Sequence, residues 1–126
     1  MNFGKTNKVF NFKRKSMDSK ALVSDEEINW EQIEPGLKRK VMTYNEQLML
    51  VKVAFEKDVV GTLHHHPHLQ ISYVASGQFK VTIGEESKIL KSGDVFFVQE
   101  NEVHGVVCLE PGVLIDVFNP HREDFL

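Results

Sequence analysis

Cysteine occurs once in the 126-residue chain, at Cys108, so no disulfide can form within it, and the reducing cytoplasm is the compartment expected for it. Gly and Pro together number 12, too few for a collagen-like or low-complexity chain. No apolar run approaches the roughly 20 residues that cross a bilayer, and none of roughly 7 to 15 follows the N-terminal positive charges as a secretory signal requires. We therefore expect no membrane partner and no export. An excess of positive charge is also missing: 15 basic against 18 acidic side chains leave −3. Without a broad basic field to condense on phosphates, nucleic acid is not an expected partner.

What remains is an ordinary globular composition, long enough for one domain that hides about two thirds of its unfolded surface. Its charge is unevenly placed. Six basic side chains against Asp18 put +5 on residues 1–20 and leave −8 on the other 106. Residues 1–25 read as a basic extension and 26–126 as the folded domain. Within the extension Phe10 and Phe12 alternate with Asn11 and Lys13. This fits either a short strand added to a sheet edge or to a partner subunit, or a mobile tail.

From about Trp30 onward the dominant period is two, as where Phe79, Val81 and Ile83 alternate with Gln78, Lys80 and Thr82. Apolar runs at 48–55, 69–75, 95–98, 103–109 and 113–118 are separated by Ser76-Gly77, Gly84-Glu85-Glu86, Lys91-Ser92-Gly93-Asp94 and Glu110-Pro111-Gly112. In such breaks Gly accepts a positive φ and Pro presets its own. Strands recurring every 8 to 12 residues or so predict an all-β, antiparallel sandwich or barrel. Only residues 24–28 hint at a helix, with Ser24 and Glu27 spaced as a capping box.

Four of the six histidines fall within five residues: His64, His65, His66 and His68. A purification tag is excluded, because Pro67 interrupts the run and a strand follows directly. On a strand, residues i and i+2 share a face, so His64 and His66 present two imidazoles side by side, suited to one divalent ion. Gln70 can fall on that face, and antiparallel pairing can bring His104 to the same point. His65 should then point away and His68 sit at the rim. The alternative register pairs His66 with His68, and a lone histidine such as His104 is also at home as a hydrogen-bonded structural residue.

At this point the sequence resembles the cupin superfamily. Its first motif, two histidines one residue apart followed by Glu and then Gly, is matched by His64, His66, Gln70 and Gly77, with Gln in place of Glu and the leading Gly displaced. Its second is matched by Gly93 and His104, with Gln99 and Asn101 where Pro and Gly are usual. The resemblance implies a double-stranded β-helix or jelly-roll barrel, commonly a homodimer, with an ion near the barrel mouth. A narrower similarity reaches the pectin degradation protein (KdgF-type) cupins, through Trp30, the stretch Pro35-Gly36-Leu37-Lys38-Arg39, the histidine cluster and the terminal Asp116-x-Phe118-x-x-x-Arg122. That family is understood to linearise 4,5-unsaturated monouronates from pectin or alginate to an open-chain 5-keto sugar. The resemblance implies three His and one Gln as metal ligands, hence His64, His66, Gln70 and His104, and active-site roles for Asp116, Phe118 and Arg122.

The chemistry of these residue types is consistent with that implication. Three imidazoles and an amide are neutral, so the full charge of a divalent transition metal, whether Ni, Zn, Fe, Mn or Co, would be retained. Lacking a carboxylate at position 70, the set departs from the two-His-one-carboxylate arrangement of Fe(II) oxygenases and favours Lewis-acid work. Arg122 could fork onto a sugar-acid carboxylate. Asp116, in the apolar run Leu114-Ile115-Asp116-Val117-Phe118, is the candidate to move a proton as acid or base. Structural alternatives stand beside each: an Asp116–Arg122 salt bridge, Phe118 as plain core, and Arg122 paired with Glu123 or Asp124. A non-catalytic sugar-acid binder and a metal-dependent oxygenase are the other functional readings.

Overall fold

The computed structural model describes residues 20–126. Phe10 and Phe12, the strand-or-tail segment of the basic extension, lie outside the described residues. Ten strands follow in order: β1 (Glu31–Glu34), β2 (Leu37–Asn45), β3 (Leu48–Phe55), β4 (Val60–His64), β5 (Leu69–Val74), β6 (Gln78–Ile83), β7 (Glu86–Lys91), β8 (Val95–Val98), β9 (His104–Glu110) and β10 (Gly112–Asn119). They form two antiparallel sheets, one ordered β1-β2-β3-β10-β5-β8 and the other β4-β9-β6-β7. This is the expected all-β jelly roll. No helix among the described residues is long and apolar enough to cross a membrane.

The helix suggested by Ser24 and Glu27 is instead a single 3₁₀ turn, Asp25–Glu27, and Ser24 makes no side-chain cap. Its residues are held by tertiary contacts. The Asp25 carboxylate meets Lys40 Nζ at 3.2 Å and Lys52 Nζ at 2.9 Å, and Lys40 also donates to the Asp25 carbonyl at 3.0 Å. Trp30 takes the ammonium groups of Lys38 and Lys40 over its ring, each 4.8 Å from the centroid.

Between the sheets, Phe55, Val74, Phe79, Val81, Leu90, Phe96, Val98, Val106, Cys108 and Leu114 form the main core. Phe55 and Phe79 meet edge to face at 5.2 Å, a preferred arrangement of two ring quadrupoles. A second cluster, Met49, Val51 and Phe118, sits toward the other end, with Tyr44 and Phe125 packed against it. The turn at Gly77 illustrates how the motif residues shape the fold: its φ is +82°, and a Cβ there would lie 2.6 Å from the Glu110 carbonyl oxygen. Only glycine fits that crossing.

Candidate metal centre and pocket

β4 and β9 pair so that His64 stands directly across from His104, after a register shift between Gly61 and His64. Their ring centroids are 4.3 Å apart. Gly105 permits this approach, since a Cβ there would lie 2.8 Å from the Gly61 carbonyl oxygen. His66 arrives differently from the expected same-face strand pair. β4 ends at His64, and His66 reaches the others from beyond the strand, with its ring 5.6 Å from His64 and 4.8 Å from His104. One ligand atom from each of the three lies within 4.8 Å of the others.

The second nitrogen of each ring settles the first. His64 Nδ1 faces the Thr62 carbonyl at 2.7 Å, His66 Nδ1 the His68 carbonyl at 3.1 Å, and His104 Nδ1 the Glu102 carbonyl at 2.9 Å. A carbonyl oxygen only accepts, so each Nδ1 carries the proton and each neutral ring turns the Nε2 lone pair inward. His104 Nε2 is buried with no partner. His66 Nε2 lies 2.9 Å from Gln70 Oε1, so two acceptors face one another. Desolvation lowers the His66 pKa, against the opposing pull of the Gln70 oxygen and with a smaller push from the Arg122 charge. Burial likewise drives His104 to about 4. Burial thus disfavours the charged form of His66 and His104, as suits metal ligands. A cation is the group that satisfies facing lone pairs, so the donor set fits one.

Gln70 comes from the opposite sheet, on β5, where it is paired with Phe118 of β10 and Val98 of β8. Its amide nitrogen donates to Ser72 Oγ at 2.9 Å, and Ser72 Oγ donates to Asp116 Oδ1 at 2.6 Å. This chain fixes the amide with its oxygen toward the histidines. Asp116 stands across from Ser72 on β10. Burial raises its pKa from 3.8 to about 6, against the opposing pull of the Ser72 hydrogen bond and the Arg122 charge. A carboxyl poised there is suited to proton transfer near neutral pH.

The other candidate positions divide. His65 is exposed, and His68 contributes its carbonyl to His66 while its ring packs 6.3 Å from Phe118. Phe118 is buried with its ring 5.8 Å from His66. Arg122 sends Nε and Nη2 to the two oxygens of Asp124 at 3.0 and 2.8 Å, and no ion pair among the described residues joins it to Asp116. Its guanidinium also lies 4.3 Å from the Phe125 ring centroid.

His64, Gln70, His104, Asp116, Phe118 and Arg122 line a cavity of about 240 Å³ together with Arg39, Phe55, Phe96 and Phe125. That is below the roughly 300–1,000 Å³ of sites for drug-sized ligands, and suits a smaller molecule. Two guanidiniums, Arg39 and Arg122, line it, and among the described residues Asp116 is the one carboxylate that does. Ser72 and Phe125 were not singled out by sequence, and Arg39 entered there only within the stretch 35–39 that carries the resemblance, without a role. For Ser72 the signal was present, since Gln70 and Ser72 alternate with Ile71 and Tyr73 in a strand that then buries its polar side.

The cupin domain family profile (Cupin_2) matches residues 51–118. Pectin degradation protein KdgF of Dickeya dadantii (strain 3937) is 52% identical over 104 residues, spanning 81% of this chain and 94% of the relative. The solved structure of KdgF from Halomonas sp. superposes with a TM-score of 0.82 at 39% identity, covering 86% of this chain and 100% of that one. An RmlC-like cupin from Shewanella frigidimarina NCIMB 400 gives 0.84 at 43% identity, with 86% and 98% covered.

Proposed function

Because the chain belongs to the cupin family, and within it to the KdgF pectin degradation proteins, we propose that it converts 4,5-unsaturated monouronates to their linear 5-keto form with the help of one divalent metal ion. The observation that carries this reading is the convergence of three Nδ1-anchored imidazoles and the Gln70 oxygen beside a pocket that His64, His104, Gln70 and two guanidiniums line. His64, His66, Gln70 and His104 are the proposed ligands. When bound, the ion supplies Lewis-acid stabilisation of negative charge developing on substrate oxygen.

The chain's own residues supply the rest. Opening the ring breaks the C1–O5 bond as the C1 hydroxyl loses its proton, leaving an aldehyde at C1 and an enolate at C5. Protonation of C4 then gives the C5 ketone. No atom is gained or lost overall. Asp116 is the residue placed to take the first proton or deliver the second, with a pKa near 6 that lets it do either. Ser72 holds the carboxylate in place through its 2.6 Å hydrogen bond. Phe55, Phe96 and Phe118 wall the site and limit water around the enolate.

We also propose a homodimer. The outer face of the larger sheet exposes Ile71, Tyr73, Val95 and Phe97, with Ile71 opposite Phe97 and Tyr73 opposite Val95, an apolar patch of the sort that seeks a partner surface.

Loss of the conjugated ultraviolet absorbance of unsaturated monouronate tests the enzymatic reading. Acceleration that chelator abolishes and metal restores is the expected outcome. Binding of the sugar acid without turnover would reduce the protein to a binding module, and oxygen uptake would turn it into an oxygenase.

A further inference from the structure

Two arginines face the pocket, and their donors are spent differently. Arg122 commits Nε and Nη2 to Asp124, at 3.0 and 2.8 Å, so the edge of the guanidinium best suited to grip a carboxylate in two places is already filled. Arg39 sits on β2 across from Val53, which also lines the cavity. It uses only Nε, on Glu31 Oε1 at 3.2 Å, and among the described residues no acceptor meets Nη1 or Nη2. Its side chain is 18% exposed, so this open end is held largely within the protein. The guanidinium is fixed by stacking, 3.8 Å from the Phe125 ring centroid, which leaves the in-plane donors available. Arg122 is drawn to the same ring at 4.3 Å. Two cations gathered on one phenyl group repel each other, and an anion entering the pocket relieves that repulsion.

We infer that Arg39, seated on Phe125, is the residue that grips the substrate's carboxylate, and that Arg122 adds charge while locked to Asp124. The inference rests on the uronate reading given under Proposed function and adds the group that makes the pocket choose an acid over its neutral counterpart. Phe125 is the platform that positions Arg39 and touches the reaction only through it.

The test compares wild type, Arg39→Met, Arg39→Lys and Arg122→Met as metal-loaded full-length protein. Turnover of unsaturated monouronate is measured alongside that of its methyl ester, and binding of galacturonate alongside galactose is measured by calorimetry. Loss of a charge-assisted pair predicts that Arg39→Met raises KM for the acid by about 10- to 100-fold and weakens galacturonate by a similar factor. Ester kinetics, galactose binding, kcat and metal content should stay near wild type. Arg39→Lys should recover part of the loss, and Arg122→Met should raise KM less than Arg39→Met. Equal losses for acid and ester, or an unchanged KM, would make Arg39 a structural residue and overturn the inference. Wild type that binds galacturonate through Arg39 but turns over no unsaturated uronate would sink the proposed reaction and leave the clamp standing. Wild type that binds neither acid would sink both.

Discussion

β5 and β6 carry the same period-two alternation but are turned opposite ways. β6 buries Phe79 and Val81 and exposes Lys80, as a strand at the edge of a core should. β5 buries Gln70 and Ser72 and leaves Ile71 and Tyr73 51% and 45% exposed. Burying an amide and a hydroxyl without partners costs on the order of 1–3 kcal/mol each, so an inverted strand persists only if its polar face is satisfied. Here the Gln70 amide nitrogen donates to Ser72 and Ser72 to Asp116, while the Gln70 oxygen is left facing the histidines. The lesson is that alternation identifies a strand, whereas the polarity of its buried side identifies what that strand is for. One sheet thus holds a site on its inner face and an apolar surface on its outer face.

That contrast can be broken from either side. The largest effect should come from His104→Ala, which removes a buried donor whose Nε2 has no other partner. Turnover of unsaturated monouronate should fall to the uncatalysed level and metal content, read by elemental analysis, should drop with it. Asp116→Asn should lower turnover by about 10²- to 10⁴-fold while metal is retained.

The same substitution has a pH signature in the metal-free protein. Because burial raises the Asp116 pKa to about 6 from 3.8, the native state holds more protons than the unfolded state between those values. Stability contributed by the protonated group is therefore full below about 4 and lost as pH rises through about 6, by up to about 3 kcal/mol. Asp116→Asn should flatten that decline in denaturant titrations, and an equally steep decline would show the carboxylate is not its source.

Ser72→Ala leaves the Gln70 amide free to turn and should weaken metal binding by about 10- to 100-fold, measured by competition with a chelator. Phe79→Ala, on the conventional strand, should cost about 3–5 kcal/mol of stability and leave the turnover of folded protein unchanged. Smallest in its effect on turnover is the double change Ile71→Lys and Phe97→Glu on the outer face. It should convert a dimer to monomers by light scattering without altering kcat.

Much of the fold was legible because it is local. The runs at 48–55 and 95–98 coincide with β3 and β8, and glycines at the breaks mark the turns. β2 was harder to delimit, since a bulge between Val41 and Thr43 slips its alternation and buried Lys40 reads as a surface residue. Its burial makes sense only once Asp25, 15 residues earlier in the chain, lies against it. The Ser24–Glu27 pattern suggested a helix for the same reason in reverse, because the tertiary ion pairs of Asp25 outweigh a local cap.

At the site, the dense histidine cluster pointed to the His64 and His66 rings that meet His104, and the terminal run to Asp116, Phe118 and Arg122 of the cavity wall. Sequence could not show that His64 and His104 face each other across the β4–β9 ladder. Nor could it show that Arg122 turns to Asp124, two residues away, while Arg39 reaches Phe125 across the whole length of the folded domain.

The central claim is that the inward-facing donors of the two sheets hold one ion on which conversion of a uronate depends. Titrating a divalent metal into chelator-stripped protein, while turnover of unsaturated monouronate is recorded, tests it most directly. Stripped protein should show no activity, and activity should then rise linearly and break at one ion per chain. Full turnover in stripped protein, or metal uptake at that stoichiometry with no turnover, would contradict it.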